Sequence, residues 1–209
     1  MKFKVILADP PWVFRSWSDK GQGRSPDAHY RTMSMDDIKN LDVASVADDN
    51  SVLFLWTTWP NIADAVQVMS CWGFKYCTGL PWVKMKRDKA GEMQLQMGLG
   101  YRLRSCSEPL LIGIRGKVPK PIKASLGIVI SSRQAHSEKP FGQYHFAEQY
   151  PEPRLEMFAR PSLMPPEGWY QIGNEITGND ISYDLAGLAR CHGKSSQEAY
   201  LKFLQTQSL

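Results

Sequence analysis

Residues 4–12 read KVILADPPW, so a short apolar run passes directly into Asp9, Pro10, Pro11 and Trp12. The run is almost continuously apolar, which is typical of a strand covered on both faces in a parallel sheet. Four further runs of this kind follow along the chain: residues 52–56 (VLFLW), 110–114 (LLIGI), 128–130 (IVI) and 155–158 (LEMF). We therefore predict a sheet with a strand that ends at Asp9.

Helical patterns separate several of these runs. Residues 34–40 (SMDDIKN) begin with a serine suited to capping a helix and carry two acids in the first turn. Pro60 can open a second helix that Gly73 ends, and Pro140 can open a third that stops before Pro151. Strands alternating with helices predict an α/β fold, with a mainly parallel sheet flanked by helices.

Two long stretches do not have the pattern of regular elements. Residues 13–33 are rich in Gly, Ser, Arg and Trp, and residues 84–100 are basic and contain three glycines. We expect both to be loops beside the carboxyl ends of the strands, where open α/β sheets bind ligands. The best candidate for a boundary lies near residue 177, so we expect a main domain of residues 1–176 and a short, helical C-terminal extension of residues 177–209.

Composition excludes several classes of protein. Of the 209 residues, 43% are hydrophobic and 22% charged, as in globular domains, which excludes a disordered or fibrous chain. No apolar run approaches the roughly 18 residues of a membrane span, and no secretion signal is visible, so we expect a cytoplasmic protein without membrane contact. The four cysteines and four histidines lack the spacing of a zinc site, so no metal is expected.

The positive charge is concentrated in one part of the chain. Residues 84–123 contain ten basic and three acidic residues, a net charge of +7, whereas the rest of the chain carries −3. A basic surface on a nearly neutral protein suits a polyanion, because each neutralised phosphate releases counterions. Taken alone, such a segment is more often an ordinary solvated surface, so another motif is needed to indicate a polyanion.

The residues that follow the first predicted strand are hydrogen-bond acceptors. Pro10 and Pro11 lack N–H donors, so their carbonyls only accept, and Asp9 adds a carboxylate. Asp9 and the Pro10 carbonyl would accept both hydrogens of a nucleobase amine, whose lone pair could then attack a methyl group on a sulfonium. Trp12 would stack on the base, which must first leave any helical stack. The alternative is a Pro-Pro turn with a capping acid and a packing tryptophan.

An ordered set of blocks resembles the MT-A70 family of adenine-N6 methyltransferases. It covers residues 4–175 and includes ILADPPW as the catalytic motif. The other blocks are HYRTMS (29–34), LFLWTT (53–58), CWGF (71–74), WVK (82–84), SEPLLIGIRG (107–116), HSEKP (136–140), LEMFARP (155–161) and GWYQIGNE (168–175). The resemblance implies S-adenosylmethionine as the methyl donor. It also implies a circularly permuted, Rossmann-like methyltransferase fold in which the catalytic motif precedes the cofactor-binding motifs.

The resemblance also implies roles for individual residues. The target adenine would be held by Asp9, Pro10, Pro11 and Trp12. The methyl donor would be bound by Asp9, Lys139, Arg160, Asn174 and Glu175. Together with the basic segment, the family blocks give these candidate substrate-binding residues: Tyr30, Lys84, Lys86, Arg87, Arg102, Arg104 and Glu108.

The leading interpretation is therefore an enzyme that methylates N6 of adenine in a nucleic acid, acting on a flipped-out or single-stranded base. The compact chain resembles bacterial and phage members of the family, which favours DNA as the substrate and leaves RNA as the alternative. A homodimer or a heterodimer with a related subunit is compatible with this interpretation. One alternative is a catalytically inactive subunit that binds nucleic acid. Another is an N4-cytosine methyltransferase, because that amine presents the same geometry.

Overall fold

The computed structural model of the chain describes residues 1–13, 32–98, 100, 102–132, 138–158, 166–172, 185 and 190–191. The strands in these ranges are β1 (Phe3–Ala8), β2 (Ala47–Trp56), β3 (Lys75–Arg87), β4 (Met93–Leu95), β5 (Ser107–Arg115), β6 (Val129–Ser132), β7 (Arg154–Met157), β8 (Trp169–Ile172) and β9 (Arg190–Cys191). The α-helices are α1 (Met35–Asn40), α2 (Ile62–Cys71) and α3 (Gly142–Ala147). An α/β fold is confirmed.

All these strands form one sheet, in the order β4-β3-β5-β2-β1-β7-β8-β9, with β6 paired beside β3. Its centre is strand β1, which runs parallel to β2 on one side and to β7 on the other. Ala8 pairs with Leu55 of β2 and with Met157 of β7, so the three strands end at the same edge. This edge, which we call the site edge, is where Asp9 lies.

The sheet is mixed, so the prediction of a mainly parallel sheet is corrected. Strand β5 lies between β2 and β3 and runs antiparallel to both, and the pairs β3–β4 and β8–β9 are also antiparallel. An apolar run shows that a strand is buried but does not show its direction, which explains the error. The reversal has a functional result, because β5 begins at the site edge and so places Glu108 there.

The basic stretch of residues 84–100 is more regular than predicted. Strand β3 continues to Arg87, and β4 folds back on it, with Met85 paired to Leu95 and Arg87 to Met93. Met93 and Leu95 are exposed, so this hairpin lacks the buried face that makes a strand visible in a sequence. Of the other long stretch, residues 13–33, only Val13, Thr32 and Met33 are among the described residues.

The helices begin and end where the sequence predicts them, within a few residues. Ser34 caps α1, and its side-chain oxygen accepts a hydrogen bond from the backbone N–H of Asp37 at 3.1 Å. Helix α2 follows a 3-10 turn, Trp59–Asn61, that contains Pro60, and the chain leaves it through Gly73 at a φ of +84°. Such a φ strains any residue with a Cβ, which is why glycine ends this helix.

Two apolar layers cover the two faces of the sheet. On one face α1 and α2 pack buried side chains such as Ile38 and Met69 against the sheet, together with Trp72, which directly follows α2. Trp72 Nε1 donates to the main-chain oxygen of Ile38 at 2.9 Å, which joins the two helices. On the other face, the α3 face, Tyr144 of α3 packs against Trp169 with ring centroids 5.0 Å apart.

A short strand near the C-terminus, β9, adds to the edge of the sheet. Strand β9 pairs with β8 through residues 190 and 191, at a place where the sequence predicted a helical extension. Most of residues 177–209 lie outside the described ranges, so the division of the chain at residue 177 stays a prediction. Among the helices of the described ranges, none has the length and apolar character that crossing a membrane requires.

Candidate active site

The residues after β1 form a tight, buried turn. The backbone N–H of Asp9 donates to Met157 at the end of β7 at 3.3 Å, and Trp12 N–H donates to the Pro10 carbonyl at 2.8 Å. The Pro11 carbonyl accepts from the N–H of Met33 at 3.1 Å. Each carbonyl has two acceptor positions, so the Pro10 oxygen retains one for another donor. The turn therefore keeps the acceptor character that the sequence predicts.

Trp12 lies in the interior and not at an open surface. Its side chain is 5% exposed and packs in the apolar layer of α1 and α2, and its Nε1 donates to the main-chain oxygen of Trp56 at 2.9 Å. The stacking role predicted for this ring is corrected, because a buried indole offers no free face to a nucleobase. Trp12 instead fixes the turn against the end of β2.

Four charged side chains converge at the site edge. Lys139, which directly precedes Pro140 and α3, places Nζ 2.9 Å from Asp9 Oδ2 and 3.5 Å from Glu108 Oε2. The other oxygen of Glu108 binds Nζ of Lys84 in a close ion pair. The four side chains are between 11% and 24% exposed, so the cluster lies at the boundary of the core and can be reached from solvent. Sequence reasoning named all four residues, and the structure brings them together.

Two buried tryptophans form the floor beneath the lysines. Lys139 Nζ lies 5.7 Å from the centroid of the Trp56 ring, and Lys84 Nζ lies 4.7 Å from that of Trp82. The two indoles meet edge to face at 6.1 Å. Trp56 Nε1 donates to Gln143 Oε1 at 2.8 Å, which fixes its ring. Ammonium groups over aromatic faces gain electrostatic attraction, so the floor holds both lysines in place.

The charge of Glu108 is determined by its two lysine partners. Burial by itself raises the pKa of a carboxyl, but the positive charges of Lys139 and Lys84 and the hydrogen bonds they donate bring the pKa of Glu108 below its ordinary value. Glu108 is therefore ionised at neutral pH. The cluster of two lysines and two carboxylates is balanced in charge.

A buried acid on β7, Glu156, was missed by sequence reasoning. It is 7% exposed, and its Oε2 accepts hydrogen bonds from Tyr144 Oη at 2.9 Å and from Gln171 Nε2 at 2.5 Å. The pKa of Glu156 is raised to about 7, mainly by burial; the hydrogen bonds from Gln171 and Tyr144 oppose this rise, and the negative charge of Asp9 adds to it. The signal in the sequence is an acid inside the apolar run LEMF, where a strand covered on both faces should be apolar.

The other predicted substrate-binding residues within the described ranges lie on or beside the β3–β4 hairpin. Lys86 and Arg87 are exposed at the end of β3, and an Nη of Arg87 donates to the Gly91 carbonyl at 2.9 Å. Arg102 and Arg104 are also exposed, in the loop that leads to β5. Strand pairing therefore connects the basic hairpin directly to Lys84 and the charged cluster.

Four predicted residues lie outside the described ranges: Tyr30, Arg160, Asn174 and Glu175. Their roles stay predictions. Within the described residues, no three His, Cys, Asp or Glu side chains are arranged to hold a metal ion.

Comparison with known proteins adds independent information. A family model described as MT-A70 matches residues 3–175. The chain is 30% identical over 206 residues to the Type II methyltransferase M.MunI of Mycoplasma sp, which covers 89% of this chain and 83% of that protein. It is 28% identical over 199 residues to the non-catalytic subunit METTL14 of the Drosophila melanogaster N(6)-adenosine-methyltransferase, covering 88% and 49%. It is also 27% identical over 186 residues to the human catalytic subunit METTL3, covering 85% and 29%.

The chain thus spans most of the length of the first relative and about half or less of the other two. The family match extends from the first strand through β8 and includes the whole charged cluster. The resemblance seen in the sequence is confirmed, and the chain belongs to the MT-A70 family.

Proposed function

We propose that this protein is an S-adenosylmethionine-dependent methyltransferase that methylates the N6 amine of adenine in nucleic acid. The observation that carries the proposal is the charged cluster at the site edge, in which Asp9 of the Asp-Pro-Pro-Trp turn contacts Lys139 beside Glu108. Family membership and the N(6)-adenosine-methyltransferase named among the relatives support the same reaction.

Asp9 and Pro10 act on the amine. The exocyclic amine of adenine is a weak nucleophile because its lone pair is delocalised into the ring. The Asp9 carboxylate and the free acceptor position of the Pro10 carbonyl take its two hydrogens, which favours a pyramidal nitrogen. Both acceptors gain strength as positive charge develops on that nitrogen, so they stabilise the transition state more than the ground state. The methylated nitrogen then gives one proton to the Asp9 carboxylate, which passes it to solvent.

The residues present fit the methyl donor. When bound, S-adenosylmethionine would supply a methyl group on a positively charged sulfur, and that sulfur would leave as a neutral thioether when the carbon–sulfur bond breaks. The methionine part of this donor carries an ammonium and a carboxylate. Asp9 and Lys139, 2.9 Å apart, present a negative charge for the ammonium and a positive charge for the carboxylate. Glu108 and the Trp56 ring hold the Lys139 ammonium near Asp9 from two further directions. Arg160, Asn174 and Glu175 complete the proposed donor site.

The basic hairpin is the proposed contact with the phosphate backbone. Lys86, Arg87, Arg102 and Arg104 are exposed and lie between Lys84 and Glu108 in the sequence. Exposed cations of this kind contribute affinity that is independent of base sequence and falls with salt.

The finer features of the family are also part of the proposal. The first feature is a circularly permuted, Rossmann-like arrangement, with the catalytic motif before the donor-binding motifs. The second is assembly as a homodimer or as a heterodimer with a related subunit. The order of the elements along the chain supports the first feature, because β1 carries Asp9, whereas β7 and β8, which precede Arg160 and Asn174 in the sequence, follow much later. A subunit named METTL14 among the relatives supports the second.

Replacement of Asp9 by alanine tests the reaction. We expect Asp9→Ala to abolish transfer of labelled methyl groups to DNA and RNA, because the amine loses its charged acceptor and Lys139 loses the nearer of its two carboxylate partners. Binding of an oligonucleotide, measured by fluorescence anisotropy, should fall by less than about tenfold, since most affinity comes from phosphate contacts. Nucleoside analysis by mass spectrometry identifies the methylated base.

The matched control is Asp36→Ala, which removes an exposed acid in α1 far along the chain from the cluster. This variant should retain wild-type turnover. Undiminished turnover in Asp9→Ala, or 4-methylcytosine as the product, would contradict the proposal.

A further inference from the structure

One tryptophan differs from the others in the described part of the chain. Trp12, Trp56, Trp72, Trp82 and Trp169 are at most 5% exposed, whereas Trp59 is 47% exposed. Leaving the large apolar surface of a tryptophan in contact with water is unfavourable. Trp59 lies three residues beyond the end of β2, at the site edge.

The ring of Trp59 is held in a defined position. Its Nε1 donates to Ser107 Oγ at 3.0 Å, at the first residue of β5. It opens a 3-10 turn in which Pro60 restricts the backbone, and Asn61 Nδ2 of the same turn donates to the Val13 carbonyl at 3.4 Å, just beyond the Asp-Pro-Pro-Trp turn. The indole is therefore both exposed and oriented, which suits it to present one flat face to a ligand.

Strand geometry places Trp59 across the sheet from the charged cluster. Ser107 pairs with Val83 and Glu108 with Trp82, and successive residues of a strand point to opposite faces. Trp82 belongs to the apolar layer of the α3 face, so Glu108 faces that side, while Ser107 and the ring bound to it face the side of α2. A chain lying over the site edge could therefore reach the charged cluster and Trp59 together.

We propose that the indole of Trp59, held by Ser107, is a stacking platform for the nucleobase next to the target adenine in an unpaired strand. The inference rests on the proposed function and adds a contact to the substrate. Because the charged cluster lies on the opposite face, the base that Trp59 holds is a neighbour of the reacting base. An aromatic face accepts any base, so this contact supplies affinity without sequence preference.

Since Trp12 is buried, Trp59 supplies an exposed aromatic ring near the site edge. The catalytic turn needs no aromatic ring of its own at the surface when a neighbouring base is held at the rim. A strand anchored on one side by Trp59 and on the other by the basic hairpin would present a splayed base to Asp9.

The first test uses the wild-type protein. Single-stranded DNA and RNA oligonucleotides carry one adenine among pyrimidines, with an abasic residue placed in turn at each position beside it. We expect an abasic residue at one adjacent position to raise KM about 5- to 100-fold with kcat nearly unchanged, because the lost stacking is equal in the ground and transition states. Abasic residues that change KM equally at every position, or at none, would overturn the platform.

The second test uses variants of the ring. Trp59→Ala should raise KM for the intact oligonucleotide by a similar factor, and the critical abasic residue should then cause no further loss. Trp59→Phe keeps a flat ring and should bring KM back to within about fivefold of the wild-type value. The matched control is Tyr76→Ala, because Tyr76 is 45% exposed on β3 near the opposite edge of the sheet, and this change should leave KM unaltered.

The outcomes separate this inference from the proposed function. Methyl transfer by the wild type with equal abasic effects in wild type and Trp59→Ala overturns the platform alone. If no DNA or RNA is methylated, the proposed function is overturned. In that case, the affinity of wild type and Trp59→Ala for the same abasic oligonucleotides, measured by anisotropy, still tests whether a base stacks on Trp59. A change of oligomeric state in Trp59→Ala, without a change in oligonucleotide binding, assigns the ring to a protein interface and also overturns the platform.

Discussion

Replacement of Glu156 by glutamine should change how the stability of this protein depends on pH. The Glu156 carboxyl is 7% exposed, has no cation among its contacts in the described residues, and accepts hydrogen bonds from Tyr144 and Gln171. Glutamine keeps the acceptor oxygen for both donors and cannot ionise. The substitution therefore removes the titration of this group while conserving its shape and hydrogen bonds.

The magnitude follows from the pKa of the buried carboxyl. Burial raises the pKa of Glu156 from its ordinary value of 4.5 to about 7 in the folded protein. The unfolded chain therefore loses this proton at lower pH than the folded chain does, and the contribution of Glu156 to stability is complete below pH 4.5 and lost as the pH rises to 7. With about 1.4 kcal/mol for each pKa unit, the loss across this window is about 3 kcal/mol.

Urea unfolding of wild type and Glu156→Gln at pH 5, 6, 7 and 8 measures the effect. The free energy of unfolding of the variant, relative to wild type, should rise by about 2–3 kcal/mol between pH 5 and pH 8. Glu92→Gln is the matched control, because Glu92 is an exposed acid on the β3–β4 hairpin, and its profile should parallel that of wild type. A Glu156→Gln profile parallel to that of wild type would refute a proton held at this site at neutral pH.

Two further predictions concern the basic hairpin and the turn after β5. Reversing Lys86 and Arg87 to glutamate should weaken oligonucleotide binding similarly for all sequences and flatten the dependence of log Kd on log salt, measured by anisotropy; unchanged binding would show that these residues only face solvent. Gly116→Ala should lower the free energy of unfolding by about 1–3 kcal/mol, because Gly116 has a φ of +64° and a Cβ there would lie 2.1 Å from the Asp49 carbonyl. Gly91 has a φ of +88° but open space around it, so Gly91→Ala should lower the free energy of unfolding by less than Gly116→Ala does in the same urea titration.

The fold could be predicted where local chemistry is strong. The apolar run before Asp9 is a strand, and Ser34 caps a helix, because burial and capping act over a few residues. The direction of β5 could not be predicted, since Leu110 and Leu111 are equally apolar whichever way the strand runs. The β3–β4 hairpin was missed for the opposite reason, because its exposed residues leave no periodic pattern.

The charged residues of the site could be predicted from the sequence, but the positions of the tryptophans around them could not. Asp9, Lys139, Glu108 and Lys84 stand in recognisable blocks, whereas Trp59 becomes notable only once its exposure and its bond to Ser107 are known. The assignment of Trp12 as a stacking ring failed because a sequence shows that an indole is present but not which way it points. Tertiary packing decides that direction.

The antiparallel course of β5 has a consequence for how enzymes of this shape can diversify. Because β3 leaves the site edge just after Lys84 and β5 returns to it at Glu108, the intervening hairpin is an excursion whose two ends are locked to each other by an ion pair. Its length and composition can change without moving either end. The hairpin proposed to contact the substrate can therefore vary during evolution, while the charged residues at its two ends keep their positions.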